Sequence, residues 1–240
     1  MCKDGIDIVI PWVDDSDEKW KKKKCKYAQS EIMDSKNRYR DYGTLKFVLR
    51  SIEKNMPWAN NVFLLTDDQQ PDWINELNVK VIDHTDFIKG KLPTFNSNSI
   101  LTSIGNIKQL SERFIVFNDE MIVWRSTDEN DFFKGNMPVD SLIETGTVPK
   151  SDGFFHISQN GVALTNAKFS KRKAMRKNLN NSYNLKYGIQ NLSTFLSLPY
   201  GGFIGFYNQH LVIPYTKQNF LDAYNDFSEN FEKTWSHRFR

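Results

Sequence analysis

Little in this chain points to disulfides, to a membrane span or to nucleic acid. Its 240 residues contain two cysteines, Cys2 and Cys25, too few for a disulfide framework and without the paired spacing of a zinc site. No apolar run approaches the roughly 20 residues that cross a bilayer. Residues 1–7 lead directly into a strand-like stretch, so no signal peptide is expected. A net charge of +3 is too mild to call for a nucleic-acid partner, and the basic residues lie in patches rather than along one motif. The expectation is a reducing, cytoplasmic setting. With 39% hydrophobic and 25% charged residues, the chain has enough apolar surface to bury a substantial core. Aromatics are plentiful, with eighteen Phe and six Trp. Core packing accounts for most of them, and those near strand ends are suited to face a nucleobase or a sugar ring.

The most informative stretch is D-I-V-I-P-W-V-D-D-S-D at residues 7–17. Ile6, Ile8, Val9 and Ile10 form an apolar run of the kind a parallel strand buries on both faces. Pro11 ends the pairing, having no N–H to give. Asp14, Asp15 and Asp17 follow at once. Open α/β sheets bind ligands beyond the carboxyl ends of their strands, so these acids stand where a metal-bound phosphate or a sugar hydroxyl would be held. The alternative is a strand-to-helix turn with Asp17 or Ser16 as N-cap. Three further runs repeat the pattern. Residues 61–66 lead to Asp67 and Asp68, residues 79–82 to Asp83, His84 and Asp86, and residues 113–118 to Asp119 and Glu120.

Helical patterns alternate with these strands. Residues 18–32 carry Lys19, Lys21, Lys22, Lys23, Lys24 and Lys26, a solvated face or a membrane-surface contact. Within 44–55, Leu45, Val48, Leu49 and Ile52 fall at i, i+3, i+4 and i+7. A short helix opening at Pro71 is expected over 71–77, and another near 97–109, capped by the turn at 92–99. The alternation predicts an α/β fold, a mostly parallel Rossmann-like or GT-A-like sheet flanked by helices. Short alternating stretches at 141–159 predict a smaller β-rich lid or insert. Residues 168–177 read as a basic exposed helix and 219–231 as another helix.

Five separated blocks then match one pattern: D-I-V-I-P-W-V-D-D-S-D, R-Y-R-D-Y-G-T-L-K-F-V-L-R-S-I-E-K-N-M-P-W, L-P-T-F-N-S-N-S-I, F-I-V-F-N-D-E-M, and Q-H-L-V-I-P-Y with T-W-S-H-R-F-R. Together they resemble the Stealth family of sugar-phosphate transferases, across residues 6–240. That family includes bacterial capsule and exopolysaccharide phosphotransferases. The resemblance implies transfer of a sugar-1-phosphate, commonly N-acetylglucosamine-1-phosphate, from a UDP-sugar to a hydroxyl of a glycan or lipid-linked saccharide. The product is a phosphodiester and UMP leaves. It further implies a bacterial protein; with the cytoplasmic setting expected from the cysteines, the Lys19–Lys26 run is either a solvated face or a peripheral contact with the inner face of the membrane.

Residue roles follow from the same resemblance. Asp119 is the expected metal ligand or diphosphate-proximal carboxylate, with Mg²⁺ or Mn²⁺ as cofactor. Glu120 stands where the family pattern N-D-D has its second acid; it keeps the charge and reaches one methylene further. Asn118 precedes them. His210 is the candidate general base, since histidine titrates near neutrality; His84 is a rival, and His156 and His237 read as structural. Arg240 is the candidate phosphate-steadying guanidinium, with Arg238 beside it. Asp7, Trp12, Asp14 and Asp17 are expected to border the nucleotide. Arg38, Arg40 and Asp41 form a charged knot suited to phosphate or to internal pairing. Asn96 and Asn98 are placed to bond sugar hydroxyls or to cap a helix.

The expected layout is one catalytic domain over 1–240, with a nucleotide-sugar core over 1–130, a lid or insert over 131–205 and a catalytic segment over 206–240. Family members continue past the R-F-R block, so that last segment is expected to be shortened. Two rival readings remain. A metal-dependent glycosyltransferase would release UDP, and a non-catalytic nucleotide-sugar or glycan-binding module would release no nucleotide.

Overall fold

The computed structural model describes residues 5–28, 39–74, 78–146, 148, 153–208 and 210–239. Packing divides the chain into two compact units, Met1–Val139 with Val212–Arg240, and Asp140–Leu211.

The first unit is built on a five-stranded sheet. Strands β1 (Ile6–Pro11), β2 (Val62–Thr66), β3 (Val79–Asp83) and β4 (Arg113–Val116) run parallel. A short antiparallel pair, β5 (Phe133–Lys134) and β6 (Met137–Pro138), lies apart. Strand β7 (Ile213–Thr216) closes one edge antiparallel to β4, giving the order β3-β2-β1-β4-β7. The α/β expectation holds, with β7 as an addition that its Pro214 obscures in the sequence. Proline gives no ladder N–H, and an edge strand tolerates that loss.

Alternation along β1 separates two apolar layers. Ile8 and Ile10, with Leu64, pack under α2 (Leu45–Asn55), which lays down Leu45, Val48, Leu49 and Ile52 as its sequence stripe predicts. Val9, Phe63, Leu65 and Phe114 face the other way, onto Ile100 of α3 (Ser97–Ser103) and Ile104 just after it. Helix α1 (Glu18–Tyr27) begins at Asp17, whose carboxylate accepts from the N–H groups of Lys19 (2.7 Å) and Trp20 (3.3 Å). The N-cap alternative for Asp17 is therefore the observed one. Residues 29–32 and 75–77 of two expected helices lie outside the described residues; residues 72–74 form a turn.

At the amino-terminal end of the sheet, Asp7 is fully buried on β1. Its Oδ1 accepts from the Asn61 N–H (3.1 Å) and from both amide side chains of Asn60 (2.9 Å) and Asn61 (2.8 Å). Its Oδ2 accepts from the Ser111 N–H at 2.6 Å. One carboxylate thus ties the entries of β2 and β4 to β1. The expected place of Asp7 beside the nucleotide is overturned, because its lone pairs are spent at the far end of the strand from the acid-bearing loops.

The second unit is helical, which corrects the β-rich expectation. It comprises α4 (Gly153–Lys168), α5 (Lys171–Lys177), α6 (Leu179–Ser182) and α7 (Gln190–Leu196), with one isolated bridge, Glu144 to Phe206. A buried ion pair sits at its centre. Lys171 Nζ lies 2.9 Å from Glu144 Oε1 and donates to the Ser197 carbonyl (2.6 Å) and hydroxyl (3.1 Å). Glu144 Oε2 accepts from the Ile204 N–H at 3.2 Å. The Glu144 N–H donates to Thr194 Oγ1, and Ser193 Oγ donates to the Glu144 carbonyl.

Both buried carboxylates yield measurable expectations. Replacing Asp7 with Ala strands several buried donors and should cost about 3 kcal/mol or more in urea unfolding. Lys171→Met leaves Glu144 charged and unpaired, with an expected loss of about 3 to 5 kcal/mol; pairing it with Glu144→Gln should recover much of that loss.

Candidate active site

A cavity of about 560 Å³ opens beyond the carboxyl ends of β1 and β4. That is where the strand order reverses, β2 and β3 leading one way and β4 and β7 the other, and such a switch point is the usual ligand crevice of an open α/β sheet. Its floor is the β1 exit (Pro11, Trp12, Val13) and the β4 exit (Asn118, Asp119, Glu120), with His84 from the turn after β3. Aromatic walls come from Trp20 on α1, from Tyr39 and Tyr42, and from Phe95 before α3. Trp20 meets Tyr39 at 5.3 Å and Phe95 edge-on at 5.5 Å between ring centres.

Asp119 is the electrostatic centre. Its carboxyl is pushed up to about 7, first by burial, then by a hydrogen bond to Glu120 and by the negative charges of Glu120 and Asp41. Two adjacent carboxyls in a partly desolvated place share a proton when nothing neutralises them. Asp41 is brought into that field, and its own carboxylate accepts from the Gly43 N–H at 2.8 Å. Gly43 adopts a left-handed φ of +70° there, which a glycine accepts without strain. Arg40 lines the cavity, its guanidinium 5.0 Å over the Tyr42 ring.

Three ring nitrogens add polarity to these apolar walls. Trp12 Nε1, Trp20 Nε1 and His84 Nδ1 are buried and have no hydrogen-bond partner among the described residues. Burial holds the His84 imidazole below its ordinary pKa, partly countered by Asp67 and Asp83, so it is neutral at physiological pH. These nitrogens are enclosed behind the cavity lining rather than open to its space, and buried polar groups without partners are a cost to the fold.

The remaining expected residues divide clearly. Trp12, Arg40, Asn118, Asp119 and Glu120 line the cavity, and Asp41 acts on it electrostatically. Asp14 does not line it: its carboxylate bonds the backbone N–H (2.8 Å) and hydroxyl (2.7 Å) of Ser16, and its own backbone is clamped by Gln69. Asp17 is the α1 cap, further held by Gln69. Asn96 caps α3, accepting from the Asn98 N–H at 3.1 Å, and its amide donates to the His237 carbonyl at 3.3 Å. Asn98 is half-buried on the first turn of α3. Asp14, Asp17 and Asn96 thus carry local hydrogen bonds and do not line the cavity. Arg38 and Arg240 lie outside the described residues.

Arg238 also has structural work, donating to the Leu92 carbonyl at 3.1 Å and lying 4.6 Å over the Tyr27 ring. It belongs to a segment that reaches the cavity wall from behind. The last helix, α8 (Lys217–Trp235), ends against residues 90–96. The Phe95 N–H donates to the Arg238 carbonyl at 2.7 Å, and Phe239 stacks on Phe95 at 5.1 Å. Gly90 makes the close approach feasible, since a Cβ there would stand 2.5 Å from the Trp235 carbonyl oxygen. His210 lies in the second unit, exposed, with φ +49° and its N–H held by Asn208 Oδ1 at 2.8 Å.

The residues missed from the sequence are Trp20, Tyr39, Tyr42 and Phe95. Trp20 carried a signal, as a large apolar side chain within an otherwise basic helical run.

Comparison with known proteins gives the family. Over 242 residues the chain is 34% identical to the capsular polysaccharide phosphotransferase WcwK of Streptococcus pneumoniae, covering 98% of this chain and 72% of that protein. It is 37% identical over 239 residues to the exopolysaccharide phosphotransferase cps2G of Lactiplantibacillus plantarum, covering 98% and 71%. Among solved structures, the apo glycosyltransferase GlyE of Streptococcus pneumoniae aligns over 98% of this chain and 65% of its own, at 12% identity. Its TM-score of 0.30 is too low to bear on fold or activity. Stealth protein conserved region 1 matches residues 4–30 and conserved region 2 matches residues 38–140. Those two matches span most of the sheet and every strand exit that floors the cavity, and the chain belongs to the Stealth protein family.

Proposed function

We propose that this protein is a polysaccharide phosphotransferase that moves a sugar-1-phosphate from a UDP-sugar, N-acetylglucosamine-1-phosphate being the expected group, to a glycan hydroxyl. The single observation that carries the reading is the Asp119–Glu120 carboxyl pair at the switch point of an aromatic-walled cavity. The phosphotransferase relatives supply the reaction class. In the transfer, the acceptor oxygen forms a bond to the sugar-bearing phosphorus. The P–O bond of the diphosphate breaks, and UMP leaves with its electron pair.

The chain's own residues divide the labour. Trp12, Trp20, Tyr39 and Phe95 line the cavity and offer flat faces for a base or sugar. Arg40 is placed for a phosphate oxygen. Asp119 and Glu120 suit a divalent cation, because a cation would release the shared proton and relieve their repulsion. Among the described residues no group of three or more side chains forms a ready metal cage. Mg²⁺ or Mn²⁺ is proposed there on the Asp119–Glu120 pair together with substrate phosphates. Bound there, the ion would neutralise charge on the diphosphate. His210 is assigned the acceptor proton on the strength of the family block; its left-handed backbone is a conformation that non-glycine residues keep where surroundings demand it. Arg240 is assigned to the transferring phosphate on the same ground.

Incubation with UDP-N-acetylglucosamine, Mg²⁺ or Mn²⁺ and a glycan acceptor should release UMP; release of UDP would replace this reading by a glycosyltransferase. His210→Ala should lower the rate by about 10²- to 10⁴-fold with donor binding retained, and unchanged turnover would remove it from the mechanism. Asp119 holds a proton in the folded chain that the unfolded chain, at 3.8, gives up. Its contribution to stability is therefore complete below about pH 4 and lost as pH rises to about 7. Thermal unfolding without metal should show this slope, and Asp119→Asn should flatten it. The stabilisation by added Mn²⁺ should be larger at about pH 8 than at about pH 6 and absent in the same variant.

A further inference from the structure

The second unit has its apolar surface on the outside. Helix α7 turns Thr194 inward, with Ser197 just after it, to meet Glu144 and Lys171. That orientation leaves Ile189, Leu192, Phe195 and Leu196 exposed at 81%, 55%, 59% and 63%, and Leu185 just before them at 98%. Positions 189, 192 and 196 share one helical stripe. A helix that buries its polar side and presents its apolar side is built for something other than water.

Charge says what that is. From residue 153 to residue 221 there is no Asp or Glu, while Lys168, Lys171, Arg172, Lys173, Arg176, Lys177 and Lys186 all fall within the second unit's part of that span. Arg172, Lys173, Arg176 and Lys177 are exposed on α5. Lys171, the first residue of α5, bonds Ser197 at the end of α7, and a seven-residue helix is only about 10 Å long. Helices α5 and α7 are therefore neighbours in one unit, each with an exposed face, cationic on α5 and apolar on α7. By contrast, the basic run on α1 is largely engaged: Lys21 pairs with Glu18, Lys23 with Asp67, and Lys24 lies over Trp20 and Tyr39.

We propose that the Asp140–Leu211 unit docks on an anionic lipid bilayer, inserting the α7 stripe at the headgroup boundary while the α5 cations hold the phosphates. Apolar burial combined with lysine and arginine attraction is how interfacial helices bind. A second copy of the chain fits less well, since Asp140, near Tyr187, is a single carboxylate against the cations of its twin.

The test is sedimentation of the full chain with vesicles of phosphatidylcholine plus phosphatidylglycerol, against phosphatidylcholine alone. Binding to the anionic vesicles, weakened by salt, is expected. Leu192→Ser with Phe195→Ser should reduce it by about tenfold or more, and Arg176→Ala with Lys177→Ala by about fivefold per charge, with thermal unfolding near wild type. Phe195→Trp, which keeps the stripe intact, should give an emission blue-shift on anionic vesicles only. No binding, binding untouched by both pairs of changes, or an unshifted Trp spectrum would overturn the proposal. So would loss of binding only on replacing Lys19, Lys22 and Lys26, or a concentration-dependent dimer abolished by Leu192→Ser with Phe195→Ser. Nucleotide turnover enters none of these readouts, so the lipid proposal and the transfer reaction stand or fall separately.

Discussion

Asp7 closes the amino-terminal end of the sheet, and the cavity at the other end inherits its register. One buried carboxylate fastens the residues that open β2 and β4 to the central strand. Parallel strands started level must also finish level, because the ladder advances residue for residue: Ile8 pairs with Val62 and with Ile115. The exits of β1 and β4 therefore come out side by side, and Trp12 is delivered next to Asn118, Asp119 and Glu120. A buried residue at the far end of the sheet thus sets the geometry of those that line the cavity.

Around that floor the chain assembles walls from distant segments. Asp17 turns α1 so that its one large apolar residue, Trp20, faces inward. Tyr39 follows, its hydroxyl donating to the Phe95 carbonyl at 2.9 Å, and Phe95 is backed by Phe239. The result is a continuous aromatic surface beside two acids that cannot comfortably both ionise. Flat apolar faces and concentrated negative charge are contradictory solvents for most ligands. They match the nucleotide-sugar donor proposed above, which is a planar base at one end and a cation-binding diphosphate in the middle.

Much of this is legible in the sequence, for definable reasons. The apolar runs of β1, β2 and β4 are buried on both faces, so pattern and structure agree without tertiary information. Asp119 and Glu120 are readable because they follow such a run directly. Other acids look the same in one dimension and differ in three. Asp7 sits within the run rather than after it, and Asp14 and Asp17 have a main-chain N–H within two or three residues, which local hydrogen bonding satisfies first. The second unit misleads for a different reason. Its core is organised by Glu144 and Lys171 rather than by an apolar stripe, so the hydrophobic period of α7 marks the outside and the usual reading inverts. Pro214 hides β7, since proline counts against a strand until the edge is known.

The Trp235–Phe239 segment has a consequence for how the protein comes into being. Residues 92 and 238, joined by a hydrogen bond, stand 146 positions apart, with the whole second unit synthesised between them. Contacts of such separation form late, after loop closure has been made worthwhile by other structure. During synthesis the strands β1 to β4 and α2 emerge first, leaving Phe95 and the Leu92 carbonyl uncovered until residues 235–239 have been made. This cavity wall thus closes later than the floor it stands on, and a nascent chain carries an open aromatic flank until then.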